Sequence, residues 1–379
     1  MSLLRISLKG VPPFKTPERM LCFLKRNKLI GRFDKPPPSQ YNETDCRGGG
    51  LFVLLYRAVP FAPLVGVGAW MIDFTLLGTA ALLPLPEREL TAGFLRYQGV
   101  SVLMDCGEGT QTAARRAGVN GIGADVIALT HYHGDHVFGL PGLLQTMLSM
   151  GRTEPLWILG PEGLERELRP ILTLAGPLPF EVNLREMGKG EGLSLDRLHP
   201  LWPSEARLTA IPTRHRVPSR AYVFSVRRAG RFLPEKAEAL GLPKPLWGRL
   251  QKGDRVLLDG REILPEAVTG PERRGLKLVF TGDTSPCPAL TEGAEDADLL
   301  VSEATYGDDQ DEGLARERGH MTFAQAGRLA RDAGVRRLWL CHFSQKLKDP
   351  EDYLPAAQAY FPDALCGTDG MSISLRYED

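Results

Sequence analysis

Cysteine is scarce in this chain: six in 379 residues, none spaced as a Cys-x-x-Cys pair. That spacing argues against a cysteine zinc ribbon. The scatter of Cys22, Cys46, Cys106, Cys287, Cys341 and Cys366 fits a reducing cytoplasm, where a thiol packs as a small apolar group. Net charge is lacking too, with 46 basic and 46 acidic residues. The chain as a whole is therefore no basic nucleic-acid binder, and any hold on RNA needs a local basic surface or metal ions. Clean apolar runs of bilayer length are also missing. The nearest, residues 51–71, is interrupted by Arg57, Pro60 and Pro63, which argues against a membrane anchor. Fifty residues precede it, which argues against a cleaved signal peptide. Histidine numbers only seven, so where each one falls is informative.

Hydrophobic residues make up 43%, ample for a large core. They are unevenly placed. Residues 1–50 hold ten Lys/Arg against four Asp/Glu and carry the breakers Lys35-Pro36-Pro37-Pro38-Ser39 and Gly48-Gly49-Gly50. At Met71 the pattern changes to the short strand Ile72–Thr79. The expectation is that residues 1–70 are a disordered extension or a misassigned start, and that one catalytic domain occupies residues 71–379. There short apolar runs alternate with helical patterns, the mark of a layered α/β domain.

Polar residues recur directly after those apolar runs. The run Val126-Ile127-Ala128-Leu129-Thr130 reads as a buried strand and is followed by His131-Tyr132-His133-Gly134-Asp135-His136. On extended backbone His131 and His133 point the same way. Gly134 permits a sharp turn that lets Asp135 and His136 face a second point, and a helix begins at Val137. Four ligand-type side chains in six residues would cost several kcal/mol in a core without a partner. Zinc suits imidazole and carboxylate donors, and manganese or iron also fit. Downstream, His215, Asp283 and His342 each end an apolar run. One division gives each of two ions four contacts. His131, His133 and His215 take the first, Asp135, His136 and His342 the second, and Asp283 bridges both. Glu303 ends the strand Leu299–Glu303. His320 precedes a helix from Phe323 with the capping box Thr322/Gln325. A Glu303–His320 pair could deliver a proton to a leaving group. His199 is assigned no role.

These motifs resemble the ribonuclease Z (tRNase Z) family of the metallo-β-lactamase superfamily, most closely a divergent bacterial branch. The resemblance runs from about Met71 to Tyr377. It rests on Asp105-Cys106-Gly107-Glu108-Gly109-Thr110-Gln111, on Thr130 through Leu144, and on Thr281-Gly282-Asp283-Thr284. Glu303-Ala304-Thr305, Gly319-His320-Met321-Thr322 and Cys341-His342-Phe343-Ser344 add to it. It implies an α/β metallo-β-lactamase fold, a four-layer αββα sandwich with an inserted arm. It also implies a cytoplasmic, zinc-dependent endoribonuclease, two Zn2+ per subunit, that processes the 3′ end of precursor tRNA. Asp135 would then be the proton acceptor, with Glu303 and His320 assisting proton delivery. The resemblance further implies a homodimer in which one subunit's arm presents tRNA to the other's site.

The matching arm is about residues 227–274, with the short helix Pro234–Leu240 and eleven Lys/Arg against seven Asp/Glu, a sign that suits a phosphate backbone. The chain departs from the family at Lys244-Pro245, where the arm usually has Gly-Pro. It also departs at Pro84-Leu85-Pro86-Glu87-Arg88-Glu89 in the early loop, and at Tyr132. The departures in the arm and early loop keep open a hydrolase of small phosphodiesters or sulfate esters. A binding protein that keeps the fold without the chemistry is the third option.

Overall fold

The computed structural model describes residues 71–119, 123–251, 253 and 255–378. The expectation for residues 1–70 lies outside the described residues. Seven strands build the first sheet: β1 (Met71–Gly78), β2 (Ala92–Tyr97), β3 (Val100–Met104), β4 (Val126–Ala128), β5 (Leu156–Gly160), β6 (Val182–Glu186) and β16 (Ser372–Arg376). Their order is β16-β1-β2-β3-β4-β5-β6. The second sheet contains β7 (Gly192–Ser194), β8 (Ala206–Pro212), β9 (Arg220–Arg228), β12 (Arg273–Phe280), β13 (Leu299–Glu303), β14 (Leu338–Cys341) and β15 (Ala364–Cys366). Its order is β15-β14-β13-β12-β9-β8-β7.

Side chains alternate across each strand, and this stacks the layers. Tyr222, Phe224 and Val226 of β9 and Leu276, Leu278 and Phe280 of β12 meet Ile72, Phe74 and Leu76 of β1 between the sheets. The intervening Ala221, Val223 and Val279 face outward, onto helices Pro288–Ala294 and Phe323–Asp332. The outer face of the first sheet is covered by Leu140, Leu143, Leu144 and Met147 of helix Leu140–Ser149 and by Leu164, Leu168 and Ile171 of helix Leu164–Ala175. That spacing is one face of a helix. The result is the expected helix–sheet–sheet–helix order. No described helix is long and apolar enough to cross a membrane.

Strands β3, β4, β5 and β6 run parallel, as do β12, β13, β14 and β15. Strand β8 is antiparallel to β9, and β9 to β12, so β8 shares the direction of β12. The carboxyl ends of these strands therefore meet at one edge, where open α/β sheets place their sites.

The arm leaves from the other edge, after Arg228 and before Arg273. It holds helices Pro234–Ala239 and Lys244–Gln251 and the hairpin β10 (Val256–Leu258)–β11 (Arg261–Ile263). Ala237, Leu242, Leu250, Val256 and Val268 give it a core of its own. Only the first helix was legible in the sequence. The second begins at Lys244-Pro245, where proline at an early helical position needs no amide partner.

Candidate metal centre

All nine side chains singled out from the sequence converge at the carboxyl-end edge. The facing atoms of His131, His133, His215 and Asp283 lie within 4.8 Å of one another, as do those of Asp135, His136 and His342. His131 Nε2 is 2.9 Å from His133 Nδ1, and His215 Nε2 is 3.3 Å from the same atom. Asp283 stands between the groups with its oxygens divergent. Oδ2 is 3.7 Å from His131 Nε2, while Oδ1 is 3.5 Å from His136 Nε2 and 3.1 Å from His342 Nε2. Asp135 Oδ2 is 3.6 Å from both His136 Nε2 and His342 Nε2.

Hydrogen bonds on the outer side of the rings decide which nitrogen faces inward. Thr130 Oγ1 has one hydrogen. It goes to Asp105 Oδ2 at 2.8 Å, because a carboxylate only accepts. The hydroxyl then accepts from His131 Nδ1 at 3.1 Å, leaving Nε2 a bare lone pair. Thr305 Oγ1 repeats the arrangement, donating to Glu303 Oε2 at 2.6 Å and accepting from His342 Nδ1 at 2.9 Å. His136 Nδ1 donates to Asp105 Oδ2 at 2.8 Å, and His215 Nδ1 to the Gly319 carbonyl at 2.8 Å. Four rings thus present Nε2 as a donor atom, with the outer hydrogen bonds typical of metal-binding histidines.

Asp105 was quoted in a motif but given no role. It is fully buried and also accepts the Thr130 amide at 2.7 Å. Its signal was in the sequence, since it follows the apolar run of β3 just as His131 follows β4. Leu82 carried no signal at all, yet its amide donates to Asp135 Oδ2 at 2.9 Å.

Gly134 departs from expectation. Residues Gly134–Val137 form a short helical turn, and the next helix starts only at Leu140. The glycine is explained by space: a Cβ there would lie 2.4 Å from the Phe138 ring. Tyr132, between the first two histidines, turns away and donates to the Pro161 carbonyl at 2.5 Å.

Burial disfavours charge throughout the cluster. It pushes His131, His133 and His215 below the usual histidine range. Burial also opposes charge on His136, but Asp283, Asp105 and Asp135 outweigh it and hold that ring well above its ordinary value, so a cation that takes its Nε2 must displace a proton. Asp283 stays well below the carboxylate range, because His342, His136 and His131 together overcome its burial. Asp135 is lowered likewise by His136 and His342.

The fit to a divalent metal follows from what is left unpaired. His136 Nε2, His342 Nε2 and Asp283 Oδ1 are buried without a hydrogen-bond partner. Three orphaned lone pairs converging within hydrogen-bond distances would each cost about 1–3 kcal/mol with nothing to receive them. A cation removes that cost, and nitrogen and oxygen donors suit a divalent transition metal.

Glu303 sits beside this centre, fully enclosed. Its Oε1 accepts the Thr284 amide at 2.7 Å and faces His320 Nδ1 at 3.0 Å, while Oε2 accepts the Met321 amide at 3.1 Å. Burial works against a charged His320, but Glu303 and then Asp283 outweigh it and raise the ring to about 9. His320 stacks on His342 with ring centroids 5.6 Å apart. The expected capping box at Thr322 and Gln325 is present and fixes the chain on its far side. His199 is remote from the cluster and packs on Trp202.

Known proteins are similar to this chain in sequence and fold. A model of the metallo-beta-lactamase superfamily matches residues 88–147, and one of the beta-lactamase superfamily domain matches residues 267–343. A curated Ribonuclease Z from Lachnoclostridium phytofermentans is 41% identical over 308 residues, 81% of this chain and 99% of the relative. That of Clostridium tetani is 40% identical over 82% of this chain and all of the relative. Among solved structures, the short form of human tRNase Z superposes with a TM-score of 0.55 at 27% identity, over 80% of this chain and all of that one. The metallo-beta-lactamase fold protein YhfI from Bacillus subtilis, at TM-score 0.57 and 20% identity over 80% of this chain and 99% of that one, shares the fold. With two fifths of the aligned residues identical over essentially the whole length of these relatives, and a histidine–aspartate cluster at the expected strand ends, the chain belongs to the ribonuclease Z family of the metallo-β-lactamase superfamily.

Proposed function

We propose that the protein is a two-zinc endoribonuclease that cuts precursor tRNA at its 3′ end. The observation that carries this reading is the Asp283 carboxylate, set between two histidine groups with orphaned lone pairs, beside a Glu303–His320 pair. The Ribonuclease Z name of relatives at about 40% identity supports the substrate class.

In this proposal His131, His133 and His215 would hold one ion and Asp135, His136 and His342 the other, with Asp283 available to either. Bound there, the ions would supply Lewis-acid stabilisation of the phosphoryl charge and acidify water. Asp135 takes the proton of the attacking water, its Oδ2 steadied by the Leu82 amide. His320, with Nδ1 on Glu303, gives the proton from its other nitrogen to the leaving 3′ oxygen. Water's oxygen bonds to phosphorus as the P–O3′ bond breaks, leaving a tRNA 3′-hydroxyl and a trailer 5′-phosphate. The direct test is cleavage of one labelled precursor tRNA by purified protein, with elemental analysis and a chelator arm. Two zinc per subunit, chelator-sensitive cleavage and recovery on zinc addition are expected. A metal-free, stable protein would end the proposal. Turnover on bis(p-nitrophenyl) phosphate far above that on precursor tRNA would favour a small-phosphodiester hydrolase.

The arm belongs to the same reading. It is rooted at Arg228 and Arg273, while Arg220 lies at the site edge, its amide bonded to the Thr130 carbonyl at 2.9 Å. Strand β9 spans this separation, roughly 25–30 Å for its length. An arm rooted so far from its own metal centre fits a homodimer in which it serves the partner's site, and the proposal places that dimer in the cytoplasm. Replacing residues 230–271 by an Asn-Gly turn is expected to lower kcat/KM on precursor tRNA by about 100-fold, through lost phosphate contacts. Turnover of bis(p-nitrophenyl) phosphate should stay within twofold. Unchanged tRNA cleavage would take the arm out of the proposal. The catalytic domain in this reading is residues 71–379, with Met71 as the native start, and intact-mass spectrometry of the native protein checks it.

A further inference from the structure

Phe138 has no part in the chemistry above, yet it lies two residues beyond the His131–His136 segment and is 69% exposed. An exposed aromatic ring beside this cluster is placed to meet a substrate that reaches it, and bases stack readily on such rings. The Phe138 backbone amide caps the turn on the Gly134 carbonyl at 2.9 Å. The ring edge lies against the Gly134 Cα so closely that a Cβ there would meet three ring atoms at 2.4–2.8 Å. Gly134 stands between His133 and Asp135, so the ring is held next to the part of the cluster that is less deeply buried.

A second apolar group approaches Asp135 from another segment. Leu82 and Leu83 are 61% and 52% exposed. Leu82 has φ +65°, a left-handed conformation that costs a leucine about 1–2 kcal/mol. The hydrogen bond from its amide to Asp135 Oδ2 holds it there. Asp135 thus has an exposed aromatic ring on its own turn and an exposed loop whose Leu82 amide is bonded to its carboxylate.

We infer that Phe138, with Leu82 flanking, forms a stacking site for the nucleobase of the first trailer nucleotide, the one bearing the cleaved phosphate. The inference rests on the precursor-RNA reading above. Its direction follows from in-line geometry. The leaving 3′ oxygen and the mature tRNA end lie on the His320 side, opposite the attacking water at Asp135. A base that meets a ring beside Asp135 belongs to the trailer. Every base has a π-face, so the site takes any nucleotide there, and its use is to hold the scissile phosphate against the cluster.

The test compares two precursor tRNAs, one natural and one abasic at the first trailer nucleotide, on wild type, Phe138→Ala and Phe138→Trp. Wild type is expected to show about a tenfold higher KM on the abasic precursor, the scale of one base stacked on one ring, with kcat within a few-fold. Phe138→Ala should raise KM on the natural precursor about tenfold and leave the abasic one unmoved, and Phe138→Trp should restore discrimination. Wild-type KM for Phe138→Ala, or equal losses on both precursors, would overturn the stacking site. So would a shift of Phe138→Ala from dimer to monomer by sedimentation, which would make the patch a contact between copies. Zinc content equal to wild type separates a lost stack from a damaged centre. Failure of the wild type to cleave either precursor would instead remove the RNA reading, and this site with it.

Discussion

Asp135→Ala is expected to lower turnover on precursor tRNA by about 10⁴-fold, the top of the range for one positioned proton-transfer group. The size follows from two losses at one side chain. Asp135 Oδ2 is 3.6 Å from both His136 Nε2 and His342 Nε2, so its removal opens the second group of donors. The same oxygen is the proposed proton acceptor, kept ionised by those two rings and steadied by the Leu82 amide. Single-turnover cleavage of an end-labelled precursor measures the effect. Asp135→Asn separates the roles, since the amide still offers an oxygen but accepts a proton poorly. Zinc content near wild type with a comparable rate loss is the expected result for Asn. Near-normal cleavage by the Ala variant would refute both roles.

Asp105→Ala should have the largest effect of any change outside the donor set. Its carboxylate receives the Thr130 amide, the Thr130 hydroxyl and His136 Nδ1. Removing it strands three buried donors at about 1–3 kcal/mol each. The stranding is not additive, since the side chains can shift, and about 3–5 kcal/mol is expected in all. For a domain of this size that corresponds to a melting temperature lower by roughly 5–8 °C, read by calorimetry. Metal affinity should fall about 10–100-fold as well, because His136 and, through Thr130, His131 lose the bonds that orient them. Asp105→Asn is the milder control: it tolerates the backbone, which has φ +59° here, and keeps one acceptor. Unchanged stability and zinc affinity in Asp105→Ala would mean that the rings orient themselves.

The strand-end rule made much of this centre legible beforehand. A histidine or an acid just after an apolar run marks the edge where parallel strands end, and it located His131, His215, Asp283, Glu303 and His342 from five separated segments. The same rule fits Asp105 equally well after β3, yet Asp105 was quoted only as part of a motif and given no role. Thr130 and Thr305 were out of reach. A threonine that sorts histidine tautomers looks like any other threonine until its hydroxyl is seen between a ring and a carboxylate. Leu82 was further still, since its contribution is a backbone amide brought in by a loop 53 residues away in the chain. The arm was half read. Its charge and first helix showed in composition and periodicity, but its private core gathers Ala237, Leu250 and Val268 from separated segments, a grouping with no local trace.

Local chemistry along the chain determined the ligand types, their order and the strands that carry them, because side-chain alternation and the residue after each strand are short-range properties. Tertiary structure decided the rest: which carboxylate oxygen faces which histidine, which ring nitrogen keeps its proton, and where left-handed backbone at Leu82, Asp105 and His342 is held in place. These are angles and distances between segments far apart in the sequence. They exist only once two sheets have packed face to face and brought their strand ends to one edge.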